Sequence, residues 1–384
     1  MNAPISDQYR IETEPLDMPP RLLLGPGPSN VHPRALQAMS TAPVGHLDPS
    51  FVAVMDEVQD LLRYLWQTEN ELTLPISGTG SAGMEAALAN VVEPGDVVLV
   101  GIAGYFGQRL VEMARRYGAD VRCVEKAWGE VFSLDELRQA LEEQRPAVLA
   151  LVQGETSSGA CQPLEGVGDL CHEHDCLLLV DAVASLGGAP FFADEWGVDV
   201  AYSGSQKCLS CPPGLAPLSL SPRAVAKVEG RDTPVANWYL DLTLLAQYWG
   251  EQPDGGRKYH HTAPINMNYA LRECLRLIAA EGLEAAWKRH RESAELLWDG
   301  LGELGLECHV PREHRLPSLT TVRVPQGVNP QEVTTTLLQD HNIEIANGLG
   351  QLAGKVWRVG LMGYNSRPDN VLRLLDALGR VLDR

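Results

Sequence analysis

The chain has 384 residues, 45% of them hydrophobic, which is ordinary for a folded protein and long enough for two cores. Its 31 basic residues against 50 acidic give a formal charge of −19, which speaks against nucleic acid and anionic membranes as partners, since both bind through clustered Lys and Arg. No apolar run is long enough to span a bilayer, and the polar, proline-containing stretch Met1–Pro20 lacks the apolar core of a signal peptide.

Residues 1–20 are expected to form an extended arm. From Arg21 to about Leu220 strands and helices alternate. Ser50–Trp66 carries apolar residues at helical spacing (Val54, Val58, Leu61, Leu62, Leu65). Strand Glu71–Ser77 precedes helix Ser81–Val92; strand Asp96–Gly101 precedes helix Gln108–Tyr117. Strand Asp120–Val124, helix Leu134–Glu143 and strand Ala147–Val152 follow, then helix Leu164–His174 and strand Leu177–Asp181. Such alternation predicts an α/β protein with a mainly parallel sheet covered by helices. The loop Gly250–Arg257 is Gly- and Pro-rich and is expected to be exposed. Helices Asn268–Glu281 and Glu284–Leu304 come next. A smaller mixed unit closes the chain: strand Leu319–Val324, helix Pro330–Gln339, strand Val356–Gly360, helix Pro368–Leu382. We place a larger domain over 21–282 and a smaller α+β domain over 283–384.

Two residues carry the chemistry. Asp181 ends the apolar strand Leu177–Val180, and Lys207 follows another apolar stretch, Val198–Ala201. An amine and a carboxylate delivered to strand ends of one sheet suit pyridoxal phosphate. The lysine would form the Schiff base, and the acid would keep the pyridine nitrogen protonated. An Asp at a strand end is otherwise commonly a turn or cap residue. Ile76-Ser77-Gly78-Thr79-Gly80-Ser81 joins a strand to a helix, where backbone N–H groups and the Thr79 and Ser81 hydroxyls can meet a phosphate; the turn lacks a P-loop lysine. Thr156, in Gly154–Gly159, follows a further strand and could reach the cofactor's phenolic oxygen. Ser185 lies just past Asp181. Phe106 follows a strand and could stack on a flat ring, although such an aromatic is more often core. Arg358 sits in an otherwise apolar strand, so it either pairs with an internal acid or waits for a ligand carboxylate.

The eight cysteines read as reduced thiols, and a cytoplasmic location is expected. Cys208 and Cys211 form a CxxC beside Lys207. Cys171 and Cys176 straddle a helix end and a strand start, so their side chains are expected to diverge, and His260 and His261 are expected to point opposite ways. No metal site is expected.

Taken together, Leu24–Asn30, Ser77–Ser81, Leu178–Gly188, Tyr202–Lys207 with Pro212–Gly214, Tyr259–Thr262 and Arg358–Gly360 strongly resemble alanine–glyoxylate aminotransferases, class V enzymes of the type I aminotransferase fold. The resemblance runs from Arg21 nearly to the end. It implies a seven-stranded, mainly parallel sheet flanked by helices. It also implies transfer of an amino group from L-alanine, or L-serine, to glyoxylate in a glycine-forming reaction. By it, Lys207 is the Schiff-base lysine, Asp181 the pyridine partner and Thr156 the residue at the phenolic oxygen. Thr79, Gly80, Ser81 and Gln206 line the phosphate. Tyr259 and Thr262 complete that site from the neighbouring subunit of a homodimer, Arg358 grips the substrate carboxylate, and the Gly25–Gly27 backbone lines the pocket. Phe106 and Thr156 stand where the mammalian enzymes carry tryptophan and serine. A serine–glyoxylate or other small amino-acid transaminase is the nearest rival. A cysteine desulfurase needs a mobile cysteine, and a non-catalytic redox protein would use the CxxC.

Overall fold

The computed structural model describes residues 6–250 and 255–383. Part of the Gly250–Arg257 loop therefore lies outside the described residues. Residues 6–20 are exposed throughout and form only a single 3₁₀ turn, Asp7–Tyr9.

Seven strands form the main sheet in the order Leu72–Ser77, Leu215–Leu220, Val200–Tyr202, Leu177–Asp181, Val148–Val152, Val97–Ile102, Asp120–Glu125. Leu215–Leu220 runs antiparallel to both neighbours, and the other pairings are parallel. Val148–Val152, Leu177–Asp181 and Val200–Tyr202 are buried at every residue, as strands covered on both faces must be. The large core joins these strands to helices Pro49–Trp66, Gly80–Val91 and Ile265–Glu281.

A second core gathers Leu297, Val322, Leu337, Ile343, Trp357, Val359 and Leu374 around an antiparallel sheet ordered Leu319–Arg323, Val356–Gly360, Ala346–Asn347. Leu24 belongs to this second core, and Leu22–Leu23 pair with Ile343–Glu344. Residues 22–24, which the sequence groups with the larger unit, thus pack on the C-terminal one. Gly282 (φ 88°) separates two helices, yet Leu283 beyond it still packs in the first core while Leu297 and Leu301 reach the second.

Two expectations about neighbouring side chains fail. Asp175 adopts a left-handed φ of 52°, and the Cys176 N–H donates to the Cys171 carbonyl at 2.9 Å, so the two cysteines fold back on each other with their thiols close together rather than diverging. His260 and His261 lie in a bent segment, not a strand, and their Nδ1 atoms are 2.9 Å apart.

Candidate active site

Register brings the chemistry together. Val152 pairs with Asp181, and Asp181 with Tyr202, so three parallel strands end in line at the sheet's carboxyl edge, where open α/β sheets bind ligands. Asp181 is buried. Its Oδ1 accepts the Val183 N–H at 2.9 Å and its Oδ2 the Tyr202 hydroxyl at 2.8 Å. A carboxylate has about four acceptor positions, so Asp181 keeps capacity for another donor. Burial pushes its pKa up to about 6, against the pull of those two bonds and of the Lys207 and Arg109 charges.

Lys207 lies in the loop after Val200–Tyr202. Ser29 fastens that loop, its hydroxyl donating to the Lys207 carbonyl at 2.9 Å and its N–H to the Gln206 carbonyl at 2.9 Å. The Lys207 amine donates to the Pro26 carbonyl. Gly27 (φ 105°) presses on the same side chain: a Cβ there would lie 2.5 Å from Lys207 Nζ. Burial lowers the Lys207 pKa to about 8. Labelling of Lys207 by an amine-directed reagent should therefore rise about tenfold per pH unit up to about pH 8 and then level, as read by mass spectrometry. A rise continuing to pH 10 would contradict it.

A cavity of about 160 Å³ opens between these residues, lined by Asp181, Lys207, Thr156, Phe106 and Gln206. Thr79, Gly80 and Ser81 form its floor at the start of the Gly80–Val91 helix. The residues fit pyridoxal phosphate. That helix has no acid in its first turn, and the Thr79 hydroxyl makes no capping bond. Gln206 Oε1 is buried without a partner. A Cβ at Gly80 would lie 3.1 Å from Val183, so glycine keeps the turn close to the wall beside Asp181. The Arg109 guanidinium lines the cavity, bonds Ser81 Oγ at 3.2 Å and stands 4.9 Å from the Phe106 ring centroid. It supplies the local positive charge that an acidic protein needs to hold a phosphate.

Arg358 lies on the middle strand of the small sheet. Its Nε donates to the Asn347 carbonyl at 2.9 Å, and Nη1 stands 3.5 Å from the Thr156 carbonyl. Among the described residues no carboxylate lies within 4.0 Å of it, so of the two alternatives the internal ion pair is not formed. Gly25 backs onto the Glu344–Ala346 segment, beside this strand.

Six residues named from the sequence are not among those lining the cavity: Gly25, Gly27 and Arg358, whose contacts are given above, and Ser185, Tyr259 and Thr262. Ser185 is buried with its hydroxyl bonded to Gln153, so it faces away. Tyr259 is 61% exposed and packs beside His46, and Thr262 is also exposed. The sequence reading in turn passed over Tyr202, Arg109 and Glu155. Arg109 was legible, because it sits three residues past Phe106 and shares its helix face. Tyr202 was not, because its contact needs the strand order.

The thiols beside the lysine do not work as a pair. Cys208 is buried, lies 3.4 Å from the Ala184 carbonyl, and has its pKa raised by burial to about 11. Cys211 stands beside Cys274, whose thiol donates to the Ser210 carbonyl at 3.5 Å. No group of three metal-ligating side chains occurs among the described residues. None of their helices is long and apolar enough to cross a membrane.

The molecule is thus a pyridoxal-phosphate enzyme of the type I aminotransferase fold. Residues 24–373 match the aminotransferase class-V family. The rat alanine–glyoxylate aminotransferase is 46% identical over 371 residues, covering 96% of this chain and 89% of the relative. The (S)-ureidoglycine–glyoxylate transaminase of Bacillus subtilis is 41% identical, covering 95% and 91%. A crystal structure of an alanine–glyoxylate aminotransferase from Nostoc sp. superposes with a TM-score of 0.97 at 63% identity, covering 99% of this chain and 100% of that one. The chain belongs to the class V aminotransferases, and its reaction is transamination.

Proposed function

We propose that this chain moves the amino group of L-alanine to glyoxylate, leaving pyruvate and glycine. The relatives' names support glyoxylate as acceptor, since two enzymes with different donors share it. The names of the rat and Nostoc enzymes support alanine as donor. The observation that carries the reading is the buried amine and carboxylate of Lys207 and Asp181, which line one cavity close to Arg358, a guanidinium with no carboxylate partner among the described residues.

Pyridoxal phosphate, when bound, supplies an aldehyde to take the amino group and a ring that spreads the charge left by α-proton removal. Lys207 is the amine that would hold it. Once free, that amine takes the α-proton as general base and returns it. Asp181 would hold a proton on the ring nitrogen, and Thr156 would face the phenolic oxygen. Thr79, Gly80, Ser81, Gln206 and Arg109 would seat the phosphate. Arg358 orients the substrate carboxylate with the Nη edge that its bond to Asn347 leaves open. Tyr259 and Thr262, exposed and outside their own chain's cavity, fit the reading that a second copy completes the phosphate seat in a homodimer. A cytoplasmic setting belongs to the same proposal.

A donor panel with glyoxylate as acceptor tests the assignment. L-alanine should give the highest kcat/KM, above L-serine and (S)-ureidoglycine. Absence of glycine formation from L-alanine would overturn it. Replacing Arg358 by Lys keeps the charge but loses the planar fork. It should raise KM for donor and acceptor by about 10- to 100-fold with a smaller change in kcat. Unchanged KM values would take Arg358 out of the pocket.

A further inference from the structure

We propose that Glu155 is a positioning residue whose carboxylate clamps the first turn of the Tyr105–Arg116 helix and thereby holds the Phe106 ring at the wall of the cofactor cavity. The proposal rests on the cofactor reading above and assigns a task to a residue that the transamination steps do not use.

The first turn of a helix leaves backbone N–H groups without partners, normally met by the side chain of the residue before it. Here that residue is Gly104, which has no side chain to offer. The acceptors come instead from a distant hairpin, Gly154–Glu155 with Ala160–Cys161. Glu155 Oε2 accepts the Phe106 N–H at 3.0 Å. Glu155 Oε1 accepts the Ser157 N–H at 3.0 Å and its hydroxyl at 2.6 Å. The Ser157 oxygen in turn accepts the Tyr105 N–H at 2.8 Å. One buried carboxylate, with one serine as relay, therefore satisfies two successive amides of the turn that carries Phe106 and Arg109. The clamp also accounts for Gly104. Its φ of 176° is extended backbone open to any residue, but a Cβ there would overlap the Glu155 side chain.

Glu155 is not placed there for stability. It is 3% exposed, with Asp181 as the nearby like charge and Arg358 as the nearby opposite one. Burial pushes its pKa up to about 6. A carboxyl whose folded pKa is raised binds its proton more tightly in the native state. Native stability therefore falls as pH rises from the ordinary carboxyl range toward 6, and the ionised clamp is a net burden at neutral pH. What the anion provides is geometry. Two acceptor oxygens face three donors, which a protonated acid or an amide cannot reproduce, since each turns a donor toward one of them.

Glu155→Gln separates these roles. In the protein without cofactor, hydrogen–deuterium exchange of the amides at Tyr105 and Phe106 should speed up by about tenfold, with the Gly80–Val91 helix unchanged as internal control. Uptake of pyridoxal phosphate, followed by visible absorbance, should weaken by about tenfold while Tm holds or rises. Wild-type exchange together with wild-type affinity in E155Q would overturn the proposal, as would a fall in Tm with both of those readouts unmoved. Should E155Q not fold, Ser157→Ala carries the test. It removes the Tyr105 acceptor together with the hydroxyl that donates to Glu155, and should speed exchange at Tyr105 and weaken uptake by about threefold; no change in either would overturn the proposal. Wild-type protein that takes up no pyridoxal phosphate would sink the cofactor reading itself, whereas equal uptake by wild type and E155Q would sink the clamp only.

Discussion

Replacing Lys207 by alanine abolishes both turnover and the visible absorption that the protein acquires with pyridoxal phosphate. The expected loss of kcat/KM is at least about 10⁴-fold, because one side chain supplies two functions: a general base is worth about 10²- to 10⁴-fold, and covalent attachment adds to it. The fold should not suffer. The amine's one hydrogen bond is to the Pro26 carbonyl, and the loop is fastened by Ser29 through backbone carbonyls that the substitution leaves in place. Stability should even rise below pH 8. There the native protein carries a buried ammonium whose pKa is depressed from 10.5 to about 8, so stability is lower at acid pH and recovers as pH rises through that window. Alanine removes that penalty. Absorption spectra, donor–acceptor assays and thermal melts of the two proteins check all three expectations together. Retained absorption with retained turnover would end the assignment of Lys207.

Most of the fold was legible because its signals are local. Apolar runs of five or six residues ending in Ser77, Val152 and Asp181 marked buried strands, and each sits at the sheet's carboxyl edge where the reading needed it. What escaped depends on contacts between distant segments. From the pattern, Phe106 follows a strand and precedes a helix beginning at Gln108, whereas the helix begins at Tyr105 and includes it. Gly104 looks like a poor cap until Glu155, about fifty residues later, is folded against it. Leu215–Leu220 carries Pro217 inside a buried strand, which argues against a strand by pattern alone, yet it pairs on both sides. The Leu22–Leu23 segment looked like the entrance to the larger unit because it precedes it in sequence. Only its register with Ile343–Glu344 shows that this segment packs on the other core. Ser185 failed for the opposite reason: closeness in sequence to Asp181 suggested a shared site, but the turn after the strand aims its hydroxyl at Gln153.

Asp181→Asn should lower kcat by about 10²- to 10³-fold with KM changed much less, since the charge it removes acts on the transition state rather than on substrate binding. The substitution is close to isosteric, and the surroundings can accept it. The amide oxygen can keep the Val183 N–H, and its NH₂ can donate to the Tyr202 oxygen once that hydroxyl turns. Burial raises this acid from 3.8 to about 6 even with its two hydrogen bonds in place, so at neutral pH the charged native form is disfavoured by on the order of 3 kcal/mol, which Asn relieves. D181N should therefore melt at or above the wild type while catalysing far more slowly, a split that a merely structural aspartate would not produce. The pH profile sharpens the test. Wild-type uptake of pyridoxal phosphate should fall as pH drops through about 6 and this carboxylate takes up a proton, whereas uptake by D181N should be flatter across the same range. A D181N enzyme whose kcat stays within about threefold of wild type would show that the charge under the ring nitrogen is not what drives the reaction.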